Sequence, residues 1–494
     1  MLAQQTNVNY LGQNPPGQVA TLFAPGILST ASYEHSSPAF SPDGSVVLWT
    51  VVDRNYRASM FEMKYENGKW SSPYRPTFAD STADDYYPSF SIDGKKLYFS
   101  SRRKVPEGYT EASDIRIWEV DRNPWGWGRP VPFDTAISRG GDYAHSVTSN
   151  GTLYYTSLLG GGTNFNIRTS RKSKDGYAKP VVLPYSINSV DYEDGAYISP
   201  DETFLIFESI RPEGVDGSID LYIAFKNKSG QWSLPINMGP KVNSPGSERF
   251  ARLSPDGKFL FFGSTRNPAP GSWGFDIYWI DAKVIDELRN GQVAKNLIKA
   301  SLGNQVIDAL YKNDVDRSGA LLKEWVASYP NSLDATILYS SALRKLGRSA
   351  EAEQLLATNA HQWKDNIGFS METALVKLGL GKNDEADILL TPILANADQR
   401  RERFKYLSNA LLDMKRFKES DEYFEKAMAI NANRFEFQRR ARRYALIGEK
   451  DRAFQSLNQA VRLGATSRKE FETDADLVAL RDDERWKAFL DLLK

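Results

Sequence analysis

The amino-acid sequence predicts a multidomain β + α chain in which a five-bladed β-propeller is followed by an all-α solenoid. A pattern of two short apolar runs around a tight turn occurs five times between Ser37 and Asp281. The turns are spaced 50, 57, 51 and 55 residues apart, at Gly44, Gly94, Gly151, Glu202 and Gly257. This spacing suits one four-stranded propeller blade per repeat. After residue 290, small residues recur about every 34 positions, which is typical of stacked helical hairpins.

The second repeat shows the blade pattern clearly, since it reads YPSFSIDGKKLYFSSRR from Tyr87 and, after a polar loop, SDIRIWEV. Apolar runs that flank Asp-Gly, Asn-Gly or Asp-Glu are typical of two antiparallel strands joined by a tight turn. A third strand follows in every repeat. In the first four repeats a fourth element is marked by an aromatic residue three positions before a proline, such as Trp127 before Pro130.

The fifth repeat lacks its fourth strand, because a helical pattern begins directly after Ile280. The sequence VATLFAPGI near the N-terminus resembles VPFDTAI, the segment after Pro130. We therefore expect the N-terminal segment to complete the fifth blade, which would close the ring and leave no long open sheet edge. The predicted divisions are an extended leader at residues 1–17, the propeller at residues 18–282 and the solenoid at residues 283–494.

Two series of small residues define the helical part. The first is spaced 34, 34, 34 and 33 residues apart, at Ser318, Ala352, Ala386, Ser420 and Ala453. The second precedes the last four of these by twelve residues each, at Ser340, Ala374, Ser408 and Ala441. Small residues allow the two helices of a hairpin to pack closely, and the pattern resembles the tetratricopeptide (TPR) repeat. The last residues, from Asp474, resemble the terminal helix that often caps such an array.

The signatures F-S-P-D-G and L-Y-F-S-S-R resemble the PD40, or TolB-type, WD40-like propeller repeats over roughly half of the chain. The third repeat departs from them, since it has TSNG at residues 148–151. The resemblance implies a periplasmic or otherwise exported protein that binds protein partners, envelope components among them. Such repeat motifs predict the fold of a protein much better than they predict its function.

Composition excludes several classes of protein. Lys plus Arg and Asp plus Glu both number 62, and this balance argues against nucleic-acid binding, which needs a basic excess. The chain has no apolar run long enough for a transmembrane helix and no intact signal peptide at Met1. It has no cysteine, which excludes disulfides and thiol catalysis. We expect neither a cofactor nor a metal.

Aligning the five repeats places two columns of charged residues on one rim of the propeller. The first column, three positions before the first strand, holds His35, Asp85, Asp142, Glu193 and Glu248. The second, in the loop that leaves the second strand, includes Arg103, Arg211 and Arg266. Because the first two strands are antiparallel, both loops lie on the same face. The columns predict a charged funnel that binds a polar small molecule or glycan.

A structural interpretation of these columns stays open beside the functional one. Each arginine is followed by an acid at the start of the third strand, which suggests one repeated ion pair per blade. The pairs would be Arg103 with Asp114, Arg211 with Asp220, and Arg266 with Asp276. The acid column itself has no evident partner in the sequence.

Catalysis is the less favoured hypothesis. Glycoside hydrolysis needs two carboxylates at a set separation, and the candidates are Glu34, Asp85, Glu193 and Glu248. No G-x-S-x-G elbow accompanies a Ser-His-Asp order. We favour a non-enzymatic binding or scaffold protein, with a carbohydrate-active enzyme as the alternative.

The helical part carries a dense basic cluster at Arg439, Arg440, Arg442 and Arg443. A solvated helix face explains such a cluster, and so does a groove for an acidic partner segment. We hypothesise the groove, which would make the protein a bridge between two components.

Overall fold

The structure is a computed structural model of the chain. It describes residues 8–106, 115–133, 137, 141–157, 165–174, 176–184, 186–188, 193–210, 219–266, 274–290, 305, 309, 315–328, 333–395, 400–432, 434–466 and 468–493. The strands are β1 Thr21–Leu22, β2 Tyr33–Glu34, β3 Ala39–Phe40, β4 Val46–Val52, β5 Ala58–Glu66, β6 Lys69–Trp70, β7 Asp85–Phe90, β8 Lys96–Ser101, β9 Arg116–Asn123, β10 Gly126–Trp127, β11 Val131–Pro132, β12 Asp142–Val147, β13 Leu153–Ser157, β14 Asn166–Ser170, β15 Lys172–Ser173, β16 Gly176–Tyr177, β17 Val181–Val182, β18 Glu193–Ile198, β19 Phe204–Ser209, β20 Asp220–Phe225, β21 Ile236–Asn237, β22 Glu248–Leu253, β23 Phe259–Ser264 and β24 Asp276–Asp281.

Five antiparallel sheets follow one another along the chain as the blades of a propeller. Blade one contains β2 to β6, blade two β7 to β11, blade three β12 to β14 with β17, blade four β18 to β21, and blade five β22 to β24 with β1. The first long strands of neighbouring blades contact one another, which places them around the propeller axis. The predicted five-bladed propeller is confirmed.

The N-terminal strand closes the ring. Strand β1 pairs antiparallel with β24, with Thr21 opposite Trp279 and Leu22 opposite Tyr278. The next residue, Phe23, donates its backbone N–H to the carbonyl of Ile277 at 2.8 Å. Its ring is fully buried, 4.9 Å from the ring of Trp279. Strand β1 therefore lies at the outer edge of the fifth blade, where the sequence lacks a fourth strand after Ile280.

Both faces of each blade are buried, because the blades pack face to face. The second strands show this, since all six residues of β19 (FLIFES) and of β23 (FLFFGS) are buried. A strand covered on both faces reads as a continuous apolar run, and its polar residues must find partners inside the protein.

The first strand of each blade contains a bulge. In blades two to five the pairing register shifts by one residue, for example between Tyr86 and Ser89. The bulged residue has a positive φ, which is +54° at Tyr87, +46° at Ala144, +62° at Gly195 and +60° at Phe250. A bulge with a left-handed residue bends the strand and redirects its side chains. The bulges lie beside the propeller axis.

The helical part begins directly after β24. Its helices are α1 Lys283–Arg289, α2 Val315–Ser328, α3 Leu333–Lys345, α4 Ser349–Trp363, α5 Ile367–Gly379, α6 Asn383–Ala395, α7 Arg400–Asp413, α8 Phe417–Ile430, α9 Arg434–Leu446, α10 Lys450–Arg462, α11 Arg468–Thr473, a 3-10 helix Ala475–Leu480 and α12 Glu484–Leu490. Consecutive helices from α3 to α10 pack as four hairpins. The predicted TPR-like solenoid is confirmed.

The two small-residue series meet inside the hairpins. Every member of both series has an exposed fraction of 0%. In the hairpin of α7 and α8, the Ser408 hydroxyl donates to the Ser420 carbonyl at 2.8 Å, and the Ser420 hydroxyl donates back to the Ser408 carbonyl at 2.7 Å. A larger side chain at these positions would separate the helices, which explains the period in the sequence.

Contacts between the two parts occur on blade four and on blade three. Leu234 of blade four packs with Leu322 and Trp325 of α2. The guanidinium of Arg439 on α9 lies 5.0 Å from the ring centroid of Phe165, just before β14. The second contact brings a helix of the solenoid to the rim of the propeller.

Candidate functional site

The acid column occupies one equivalent position in every blade, opposite the second strand. Asp85 pairs with Ser101, Asp142 with Ser157, Glu193 with Ser209, and Glu248 with Ser264. In blade one this position belongs to Glu34, which lies opposite Val51, so the prediction of His35 was wrong by one residue.

The error has a physical cause in the bulge of blade one. Glu34 and Ala39 are five residues apart, yet they lie opposite Val51 and Leu48, which are three apart. The corresponding interval in blade two is one residue shorter. The repeats were aligned on the motif that follows the bulge. Such an alignment cannot show that the bulge of blade one is one residue longer than that of blade two.

The column acids are buried, and Asp85, Glu193 and Glu248 accept hydrogen bonds within their own blades. All five have exposed fractions of 0 or 1%. Arg103 donates through Nη2 to both carboxylate oxygens of Asp85, at 2.9 and 2.8 Å. Arg266 donates to Glu248 at 3.1 Å, and Ser264 donates to the same carboxylate at 2.6 Å.

In blades two and five, a residue of the predicted acid column therefore pairs with a residue of the predicted arginine column. Asp85 and Glu248, which lacked an evident partner in the sequence, accept from an arginine that follows the second strand, and Glu193 accepts from Ser209. Arg211 and Asp114 lie outside the described residues, so their predicted pairs stay predictions. Burial raises the pKa of both Asp85 and Glu248, and the adjacent Arg103 and Arg266 partly offset that rise. A carboxylate without exposed surface cannot reach a glycosidic bond, so this column does not favour hydrolysis.

An aromatic cluster beside the column acids lines the opening of the propeller axis, here called the mouth. It consists of Tyr33, His35, Tyr86, Tyr87, Tyr143, Phe165, Phe250 and Phe275. Their rings contact one another in a continuous network that crosses between blades. Tyr87 of blade two reaches Phe250 of blade five, which is not its neighbour, at 5.9 Å between ring centroids. Burial and nearby Arg249 lower the pKa of His35 to about 3, so this imidazole is neutral.

Sequence analysis missed a charged cluster on one side of the mouth. Arg249 donates through Nε to Glu208 at 2.5 Å and through Nη2 to Asp194 at 2.9 Å. Glu208 occupies the position that other blades give to small residues, for example Ser100 and Gly263. A large acidic residue at a position that is otherwise small is the feature of the sequence that could have indicated this cluster. Gly195 is required beside it, because a Cβ there would lie 2.1 Å from a Glu208 oxygen.

A cavity on the outside of blades three and four was also missed. It has a volume of about 530 Å³, and Gln305 of the helical part contributes to its lining. Inside it, Lys226 donates to Glu202 at 2.7 Å, and the Tyr154 hydroxyl donates to the same carboxylate at 2.6 Å. Glu202 and Lys226 in its lining are thus paired with each other.

The basic cluster of the solenoid is paired within the chain. Arg440 is only 5% exposed and donates to Ser408, Asp421 and the Tyr444 hydroxyl, at 2.8, 2.6 and 2.9 Å. The others pair as Arg439 with Glu436, Arg442 with Asp474, and Arg443 with Asp413. The bonds of Arg440 to Ser408 and Asp421 connect α9 to the hairpin of α7 and α8, so Arg440 is a structural residue and not an open contact for an acidic segment.

Comparison with known proteins shows no family for the chain. No protein-family model and no curated protein matches the chain. Among solved structures, the chain is similar to TolB from Acinetobacter baumannii, with 16% identity, 51% of this chain and 55% of that one covered, and a TM-score of 0.31. It is similar to a thermostable family-43 glycoside hydrolase at 15% identity, covering 54% and 90%, with a TM-score of 0.33. A tetratricopeptide repeat protein from Parabacteroides merdae aligns at 17% identity, covering 39% and 77%, with a TM-score of 0.23. At such scores these likenesses carry no functional argument.

Two further features are absent from the described residues. No group of three or more His, Cys, Asp or Glu side chains there is placed to hold a metal ion. None of the described helices has the length and apolarity needed to cross a membrane.

The ion pair in blade two predicts the stability of a variant. Asp85→Asn leaves the buried Arg103 charge without a counter-ion and should lower the free energy of unfolding by about 3–5 kcal/mol. Urea unfolding of the full chain measures this. Glu287→Gln is the control, because it breaks the exposed pair with Lys241 and should cost at most about 1 kcal/mol. Equal effects of the two substitutions would contradict a structural role for Asp85.

Glu34 predicts a pH dependence of stability. Burial raises its pKa from 4.5 to about 8, so the folded state binds a proton that the unfolded state has lost. Its contribution is fully present below pH 4.5 and is lost as pH rises through 8, with a slope approaching about 1.4 kcal/mol per pH unit.

Denaturant unfolding across this pH range tests the prediction for Glu34. Glu34→Gln should flatten the slope, whereas Glu66→Gln, at an exposed position of the same blade, should keep it. A slope that is unchanged in Glu34→Gln would show that another group titrates.

Proposed function

We propose that the protein is a non-enzymatic, exported binding protein, in which the propeller mouth holds a segment of a protein partner. The observation that carries this proposal is the mouth itself. Tyr33, Tyr86, Tyr87 and Phe165 are partly exposed there as one network of rings. Tyrosine and arginine are enriched where protein interfaces gain most of their binding free energy.

The charges around the mouth support binding rather than catalysis. The column acids are enclosed, and Asp194 and Glu208 both form ion pairs with Arg249. Hydrolysis of a glycosidic bond requires an acid and a base with open access to the substrate. The carbohydrate-active alternative therefore lacks a pair of accessible carboxylates among the residues named for it.

The solenoid supports a second binding surface. The contact of Arg439 with Phe165 brings α9 to the rim of the mouth, so one partner segment could contact both parts. A TPR-like array offers a groove for peptide segments, and we propose this role without the four arginines, which are paired within the chain. The PD40-type motifs support a periplasmic setting.

Substitutions in the mouth test the proposal. Tyr33→Ala and Tyr86→Ala each remove a partly exposed ring and should reduce partner capture from the native envelope fraction about 30-fold or more, as expected for a hot spot. Trp125→Ala is the control, because that side chain is 96% exposed on an outer turn of blade two and should leave capture unchanged.

The enzymatic alternative is tested with the same preparations. If the purified protein hydrolysed oligosaccharides, and Glu193→Gln or Glu248→Gln abolished turnover, the binding proposal would be wrong. Equal capture by all three aromatic variants would also contradict it.

A further inference from the structure

Deeper along the propeller axis, each blade contributes one residue from its first strand, at the position where normal pairing resumes after the bulge. These residues are Ala39, Ser89, Ser146, Tyr197 and Arg252. Arg252 is the one charged member of this set. The set lies below the mouth and shares no residue with it.

The guanidinium of Arg252 extends across the axis. Its Nη1 donates to the Ser89 hydroxyl oxygen at 2.9 Å. Arg252 belongs to blade five and Ser89 to blade two, and these blades are not neighbours in a ring of five. The side chain is partly buried, and burial lowers its pKa to about 10.

Arg252 differs from Arg103, Arg249 and Arg266 because it has no carboxylate partner among the described residues. Arg103, Arg249 and Arg266 each form an ion pair with a buried acid. Within the described part of the chain, the hydrogen bond to Ser89 is the only one that Arg252 makes, although a guanidinium has five N–H donors.

A buried imidazole lies near Arg252. His145 is 2% exposed, and no hydrogen bond of standard geometry reaches either ring nitrogen among the described residues, although the Tyr98 backbone acts to raise its pKa. Burial and the charge of Arg252 lower its pKa to about 3, so the ring is neutral and keeps one N–H donor. Buried polar groups in native proteins are normally hydrogen-bonded, so this pair requires an explanation.

We propose that the propeller axis binds a small carboxylate anion against Arg252. A planar guanidinium matches a carboxylate through two parallel hydrogen bonds, and a charge removed from water requires a counter-ion. The Ser89 hydroxyl accepts from Arg252 and is free to donate its own proton to the anion. This site is independent of the mouth, so either proposal can fail alone.

Thermal unfolding of the full chain, with sodium acetate as the probe, tests the site. An anion that binds only the folded state raises the folded-to-unfolded ratio about 100-fold when its concentration is 100 times its Kd. Wild type should show this gain. Arg252→Gln should show only the general salt effect, and without acetate it should be at least as stable as wild type, because an unpaired charge has been removed. Arg468→Gln is the matched control, since it removes one exposed arginine of the solenoid and should respond as wild type does.

The outcomes separate the proposal from its rivals. An equal acetate response in wild type and Arg252→Gln would overturn it, and so would an equal response of wild type to sodium chloride at matched ionic strength, which would indicate a spherical-anion site. If Arg252→Gln does not fold, titration calorimetry of wild type and Ser89→Ala with acetate decides: saturable binding that Ser89→Ala weakens supports the site, and no heat of binding overturns it.

Discussion

The geometry of the propeller depends on the short antiparallel pairing of β1 with β24. Among the described strands, this pairing joins the two ends of a sheet series that is otherwise connected in chain order. It places Phe23 between the rings of Phe261 and Trp279. Residues farther upstream reinforce it, since Tyr10 packs against Phe259 and donates its hydroxyl to Asp256 at 2.7 Å. A closed ring fixes the distances across the axis, and both candidate sites lie on that axis.

The repeated and the non-repeated residues of the blades have different roles. A buried acid recurs at the same position in each blade. In blade two this acid is Asp85, and Arg103 neutralises its charge. A residue that is repeated in this way has the same structural role in every blade. Residues that break the repeat, such as Glu208 and Arg252, lie where other blades have small or uncharged side chains. Because these residues have no equivalent in the other blades, the repeated architecture does not explain them. They are therefore better indicators of function.

Much of the fold could be predicted from the sequence because periodicity records packing. The 34-residue series marks residues such as Ala374 and Ala386, which are fully buried where helices meet. The same logic found the closing strand. The site was harder to predict, because the bulge in blade one moved Glu34 into the position assigned to His35. Ion-pair partners such as Arg266 and Glu248 depend on side-chain direction, which spacing along the chain does not record.

Hydrogen exchange of a chain that lacks residues 1–23 tests the central claim most directly, namely that closure by the N-terminal strand holds the axis in place. The account predicts faster amide exchange than in the full chain for β24, which loses its partner strand, and for the first strands around the mouth. Protection in the helices from α3 to α10 should be unchanged, since they form hairpins among themselves. Unaltered protection of β24 and of the strands around the mouth would contradict the account.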